Sequence, residues 1–140
     1  MVQWNSNIRL WSGDNVSCRY KYFLGNIIRT REERKCKKFL NENIESLCIS
    51  DFSLHSIGVI LFRNNKEEVF KNFVDDIIPN IEIVTLPKNS YKDLPKVKKT
   101  LGLDFDDAYQ YKTAEQHNLK IVTMDKDFEK VKDKITIIFL

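Results

Sequence analysis

The sequence has little of what interrupts or staples a chain: four glycines, three prolines and three cysteines among 140 residues. Gly13, Gly25, Gly58 and Gly102 are too widely separated to form a glycine-rich phosphate loop, which argues against a nucleotide-binding regulator. With so little proline and glycine there is no linker, and no internal repeat or low-complexity tract is present. Cys18, Cys36 and Cys48 are odd in number and lack metal-ligand spacing, so neither a disulfide framework nor a zinc site is expected. No apolar run approaches the roughly 18 residues that span a bilayer, and MVQWNSNIRLW lacks a basic segment followed by an apolar one. No membrane association and a cytoplasmic setting are the expectations.

What is present suits one globular domain over residues 1–140. Hydrophobic residues make up 42%, enough to bury a core, and charged residues 31% with a net charge of +3. That balance fits neither an acidic disordered tail nor a polybasic arm. Residues 1–50 carry nine Lys/Arg against five Asp/Glu, so the basic excess lies there.

Hydrophobic periodicity alternates between strand and helix. Leu47-Cys48-Ile49 reads as a strand, and 51–62 as a helix capped by Ser50 or Asp51. Val69, Phe70, Phe73, Val74, Ile77 and Ile78 form one stripe of a helix over 66–79, and Ile81-Glu82-Ile83-Val84-Thr85-Leu86 a buried strand. Helices follow at 92–101, stopped by Gly102, and at 104–118; strands at 119–124 and 135–140 enclose a helical turn over 127–132. Thr30 to Leu40 reads as a basic helix with Thr30 and Glu33 spaced as a capping box. The first strand is either Val2-Gln3-Trp4 or Ile8-Arg9-Leu10-Trp11, with a short helix over 16–24. Apolar strands separated by helices predict a three-layer α/β/α domain with a mainly parallel central sheet.

Two groups of carboxylates fall where such sheets bind ligands, outside the carboxyl ends of the strands. Asp125 follows directly on Ile121-Val122-Thr123-Met124. Asp104, Asp106 and Asp107 open a helix, and Asp104 and Asp107 share a face. Converging carboxylates repel unless a cation or proton joins them, and a hard divalent cation takes oxygen ligands while keeping coordination positions for phosphate and water. Helix capping alone explains one or two of these acids, and Asp125 and Asp127 read equally well as turn residues.

The run Leu103-Asp104-Phe105-Asp106-Asp107-Ala108, followed by Thr123-Met124-Asp125-Lys126-Asp127-Phe128, resembles the closing half of a PIN-domain ribonuclease. Ser50-Asp51-Phe52-Ser53-Leu54-His55-Ser56 resembles that family's helix after the second strand. The resemblance covers about Thr30 to Leu140, leaving residues 1–28 poorly matched. It implies acidic residues binding Mg²⁺ or Mn²⁺ and cleavage of RNA. Many members of this size are toxins, which implies an antitoxin protein and a second copy of the chain as partners. Asp107, Asp125, Asp104 and Asp14 are the catalytic candidates, and Asp107, Asp125, Asp127 and Asp14 the metal candidates.

Two positions depart from the pattern. Ser56 stands where the family has a Glu. The opening acid has three competing places: Asn5-Ser6-Asn7-Ile8, Gly13-Asp14-Asn15-Val16, and Phe23-Leu24-Gly25-Asn26-Ile27-Ile28; Asp14 is the choice. Asp51 is either a helix cap or a further acid, and His55 a weak acid–base group or a half-buried, hydrogen-bonded histidine. For RNA contact the sequence offers Arg29, Arg31, Arg34, Lys35, Lys37 and Lys38, or a solvated helix face, and Tyr20, Tyr22 and Phe23 for base stacking. A metal-dependent endoribonuclease is therefore expected, with a catalytically eroded interaction module as the alternative.

Overall fold

The computed structural model describes residues 38–39, 42–43, 45, 47–123 and 126–139, together with the backbone of 9–11. Five strands lie in one sheet: β1 (Arg9–Trp11), β2 (Leu47–Ser50), β3 (Glu82–Val84), β4 (Lys120–Thr123) and β5 (Ile137–Phe139). Their order is β3-β2-β1-β4-β5, and every pairing is parallel. Leu10 sits opposite Cys48 on one side and Ile121 on the other. The chain therefore winds outward from β1 to β3, then crosses back to place β4 beside β1. The reversal between β1 and β4 is the topological switch point, where the crevice of an open parallel sheet forms.

Among residues 47–123 and 126–139, four helices cover the sheet: α1 (Asp51–Arg63), α2 (Glu67–Asp76), α3 (Leu94–Leu101) and α4 (Phe105–Gln116), with short 3-10 turns at Ile78–Asn80, Lys88–Asp93 and Lys126–Val131. Successive residues of β2 go to opposite faces, as strand geometry requires. Cys48 joins a core with Leu94, Val97, Ala108, Ala114, Ile121 and Phe128, while Ile49 joins a second core with Ile57, Leu61 and Phe73. Two cores on two faces give the expected α/β/α sandwich. The hydroxyl of Ser50 caps α1, accepting the N–H of Ser53 at 3.0 Å.

Several expectations need correction at their edges. The strand expected over 81–86 is three residues long and exposes Ile83 (42%), because β3 lies at the sheet edge rather than inside it. The final strand is likewise the short edge strand β5, with Phe139 exposed. The helix expected over 66–79 stops at Asp76, and that expected over 92–101 begins at Leu94 after a 3-10 turn. Of the two candidate first strands, the one containing Arg9-Leu10-Trp11 is formed. The capping box at Thr30, the short helix over 16–24 and the RNA-contact residues proposed between Arg19 and Lys37 lie outside the described residues; Lys38 and Phe39 are helical.

Gly102 ends α3 in the left-handed region at φ 67°, and its N–H reaches the Lys98 carbonyl at 2.9 Å. A Cβ there would meet nothing within 4 Å, so an alanine costs only what the backbone conformation imposes. We expect Gly102→Ala to lower unfolding free energy by about 1 kcal/mol, read from the urea midpoint at unchanged m-value.

Candidate active site at the carboxyl edge of the sheet

The short connection from α4 into β4 makes the helix run back against the strand, so its first turn lies at the carboxyl edge of the sheet. Asp104 caps that turn, its Oδ1 accepting the Asp107 N–H at 3.2 Å. Asp107 is buried, 3% exposed, in the first helical turn, where the helix dipole favours negative charge. Burying a carboxylate is costly unless something compensates it.

Other polar groups are buried with it. Ser50 and Thr123, the last residues of β2 and β4, have no exposed surface, and Ser53 is buried one turn into α1. Gln110, one turn beyond Asp107 on the same side of α4, donates through Nε2 to Ser53 Oγ at 2.9 Å. Its Oε1 is buried and has no hydrogen-bond partner among the described residues, although Gln110 is only 5% exposed. A buried carbonyl oxygen without a donor costs about 1–3 kcal/mol.

Asp51 is drawn to a different task. Ser50, not Asp51, caps α1; Asp51 Oδ1 accepts the Tyr109 hydroxyl at 2.6 Å and the Phe52 N–H at 2.7 Å. The same tyrosine oxygen accepts the N–H of Leu86 at 3.1 Å. One hydroxyl thus joins α4, α1 and the segment leaving β3. Ser56, at the position of the missing Glu, donates its hydroxyl to the Phe52 carbonyl of its own helix at 3.0 Å. His55 is exposed rather than half-buried, and lines an apolar cleft of about 510 Å³ with Leu54, Val59, Phe62 and Phe70.

Asp107 and Asp104 are therefore neighbours in one helical turn. Asp127 is exposed on the 3-10 turn after β4. Asp125 and Asp14 lie outside the described residues, two residues after the end of β4 and three after the end of β1. Asn5 also lies outside the described residues. No three of His, Cys, Asp and Glu converge on one point among the described residues. The donors at this edge are oxygens, which is the chemistry a hard divalent cation requires.

A PIN domain family model matches residues 23–134. This chain belongs to the PIN domain family. The PIN domain fold is also that of solved structures at low identity. A toxin-antitoxin complex from Klebsiella pneumoniae is 18% identical with TM-score 0.65, covering 86% of this chain and 89% of that one. FitAcB from Neisseria gonorrhoeae is 19% identical with TM-score 0.61, covering 94% and 96%. A protein from Pyrobaculum aerophilum is 16% identical with TM-score 0.58, covering 88% and 86%. No curated protein sequence matches. Tyr109 and Gln110 were not among the sequence candidates; their spacing from Asp107 by two and three residues was the available signal.

Burial shifts three groups of this PIN domain the same way. It pushes the Cys48 thiol up to about 12, helped by Glu82. It pushes Tyr111 up to about 12, helped by a hydrogen bond to Glu115, and raises Tyr109 further, helped by Asp51. The folded state holds these protons where the unfolded chain, with values of 9.0 and 10.0, releases them. Stability is thus full below pH 9 and is lost as pH rises through about 12. Thermal melts across alkaline pH check this, with Tyr109 and Tyr111 ionising only as the fold opens. Tyr109→Phe strands the Leu86 N–H, and a loss of about 1–3 kcal/mol is expected in urea denaturation.

Proposed function

We propose that this PIN domain is a metal-dependent endoribonuclease that hydrolyses RNA phosphodiester bonds, acting as the toxin of a toxin-antitoxin pair. The observation that carries the reading is the buried Asp107 carboxylate in the first turn of α4, at the carboxyl edge beside the switch point. Asp107 and Asp125 would hold Mg²⁺ or Mn²⁺, with Asp14 and Asp127 completing the set and Asp104 orienting Asp107 through the capping bond. When bound, such a cation supplies Lewis-acid activation of water and phosphate. The whole of residues 1–140 is taken as one domain in a cytoplasmic setting; among the described residues no helix is long and apolar enough to cross a membrane. The toxin-antitoxin complex among the structural relatives supports an antitoxin protein as partner; a second copy of the chain is the other partner we propose.

A second reading, an eroded interaction module on the same fold, is favoured by Ser56, whose hydroxyl is spent on its own helix. Cleavage of mixed RNA with Mg²⁺ or Mn²⁺ separates the two. Asp107→Asn is expected to lower the rate at least ~100-fold and to weaken Mn²⁺ binding in calorimetry, with an unchanged fold by circular dichroism. Wild-type protein that neither cleaves RNA nor binds Mn²⁺ would establish the eroded module instead.

A further inference from the structure

A second cleft, of about 390 Å³, opens between α3 and the start of α4, next to the proposed catalytic edge. Its walls are Tyr91, Leu94, Pro95, Lys98, Phe105 and Ala108. Ala108 follows Asp107 directly, and Phe105 precedes it by two residues, so the cleft shares a helical turn with the buried carboxylate. Phe105 is 55% and Tyr91 47% exposed, large apolar surfaces that folding leaves in water.

These two rings are not loose. Phe105 packs on Phe52 with centroids 6.4 Å apart, Phe52 on Tyr109 at 5.3 Å, and Tyr109 on Tyr91 at 5.9 Å. The inner pair is buried or half-buried, and the Tyr109 hydroxyl is fixed to Asp51 and Leu86. The outer pair therefore stands at the two ends of a braced row, both facing one cleft. Rigid aromatic faces at a cleft mouth suit a flat ring.

The charge around the cleft decides what kind of ring. From Lys88 to Leu101 the chain carries Lys88, Lys92, Lys96, Lys98 and Lys99 against a single acid, Asp93, while Asp104, Asp106 and Asp107 flank Phe105 on the other wall, where the proposed divalent cation would neutralise part of their charge. Asp93 lies 3.7 Å from Lys112, which it shares with Glu115 at 2.6 Å; Lys98 is the charged residue that lines the cleft itself. Lysine is depleted at the centres of protein–protein interfaces, whereas aromatic rings interleaved with lysine are the usual surface for single-stranded nucleic acid. We infer that this cleft is a stacking subsite for one unpaired base of single-stranded RNA, with Phe105 and Tyr91 contacting the base and Lys98 drawing the adjoining phosphate. The inference rests on the RNA reading above and adds to it where the strand lies: across the start of α4, leading a phosphate toward Asp107.

The test is fluorescence anisotropy with the full chain and a labelled single-stranded RNA of about a dozen nucleotides, in EDTA so that no cleavage intervenes. Phe105→Ala is expected to weaken binding about five- to a hundredfold, and Phe105→Trp to retain it. Replacing one nucleotide at a time by an abasic residue should find a position that weakens wild type but leaves Phe105→Ala unaffected. Wild-type affinity in Phe105→Ala, or indifference of the wild type to every abasic position, overturns the inference. So does a Phe105→Ala variant that loses self-association by sedimentation while keeping its RNA affinity, which would make the cleft a contact between copies. Cleavage with Mn²⁺ is measured in parallel. Phe105-dependent RNA binding without cleavage removes the nuclease reading and leaves the subsite standing; cleavage with Phe105-independent binding does the reverse.

Discussion

The hydroxyl of Tyr109 is the junction on which the arrangement of the carboxyl edge depends. Three segments that are distant in sequence meet at one oxygen: α4 carries it, α1 accepts its hydrogen bond through Asp51, and Leu86 donates to it from the chain leaving β3. Each partner alone is an ordinary hydrogen bond of modest net value. Together they fix where α1 and α4 begin relative to the sheet, and those two helix starts are where Ser50, Ser53, Asp107 and Gln110 collect. The bond also determines what Asp51 is for. An acid beside the switch point invites a metal-binding role, but one oxygen of this carboxylate already has two donors.

A division of labour among the acids follows. Asp104 spends an oxygen on the Asp107 N–H and Asp51 spends one on Tyr109, so both serve the architecture of the edge. Asp107 is the carboxylate that is buried among the described residues. The polar layer around it is built largely from uncharged groups, which can be buried without mutual repulsion so long as their hydrogen bonds are made. Among the described residues, Gln110 Oε1 leaves one such requirement open.

How much was legible in the sequence varied with how local the cause was. The cap at Ser50, the stop at Gly102 and the helix opened by Asp104 are set within four residues of chain, and each was readable from residue type and spacing. The sheet class followed from apolar runs between helices. The exposure of Ile83 and Phe139 was not readable, because an apolar triplet looks the same at an edge as at a centre and only strand order distinguishes them. The bond between Tyr109 and Asp51 spans 58 residues and had no local signature. Gln110 and Phe105 were overlooked for a related reason: attention to carboxylates passes over an amide or a ring beside them. The motifs around Asp107 and Asp125 were sufficient for the PIN domain family, which the match over residues 23–134 establishes.

The brevity of β3 and β5 bears on how this molecule meets others of its kind. Each border of the sheet is three residues long, and one of those residues on either side is a bulky apolar side chain left partly in water. A parallel partner laid along so short a border would gain only a few main-chain bonds before running into turns. Fibril-like growth by strand addition therefore has little template to copy, even though the border residues themselves favour extended structure.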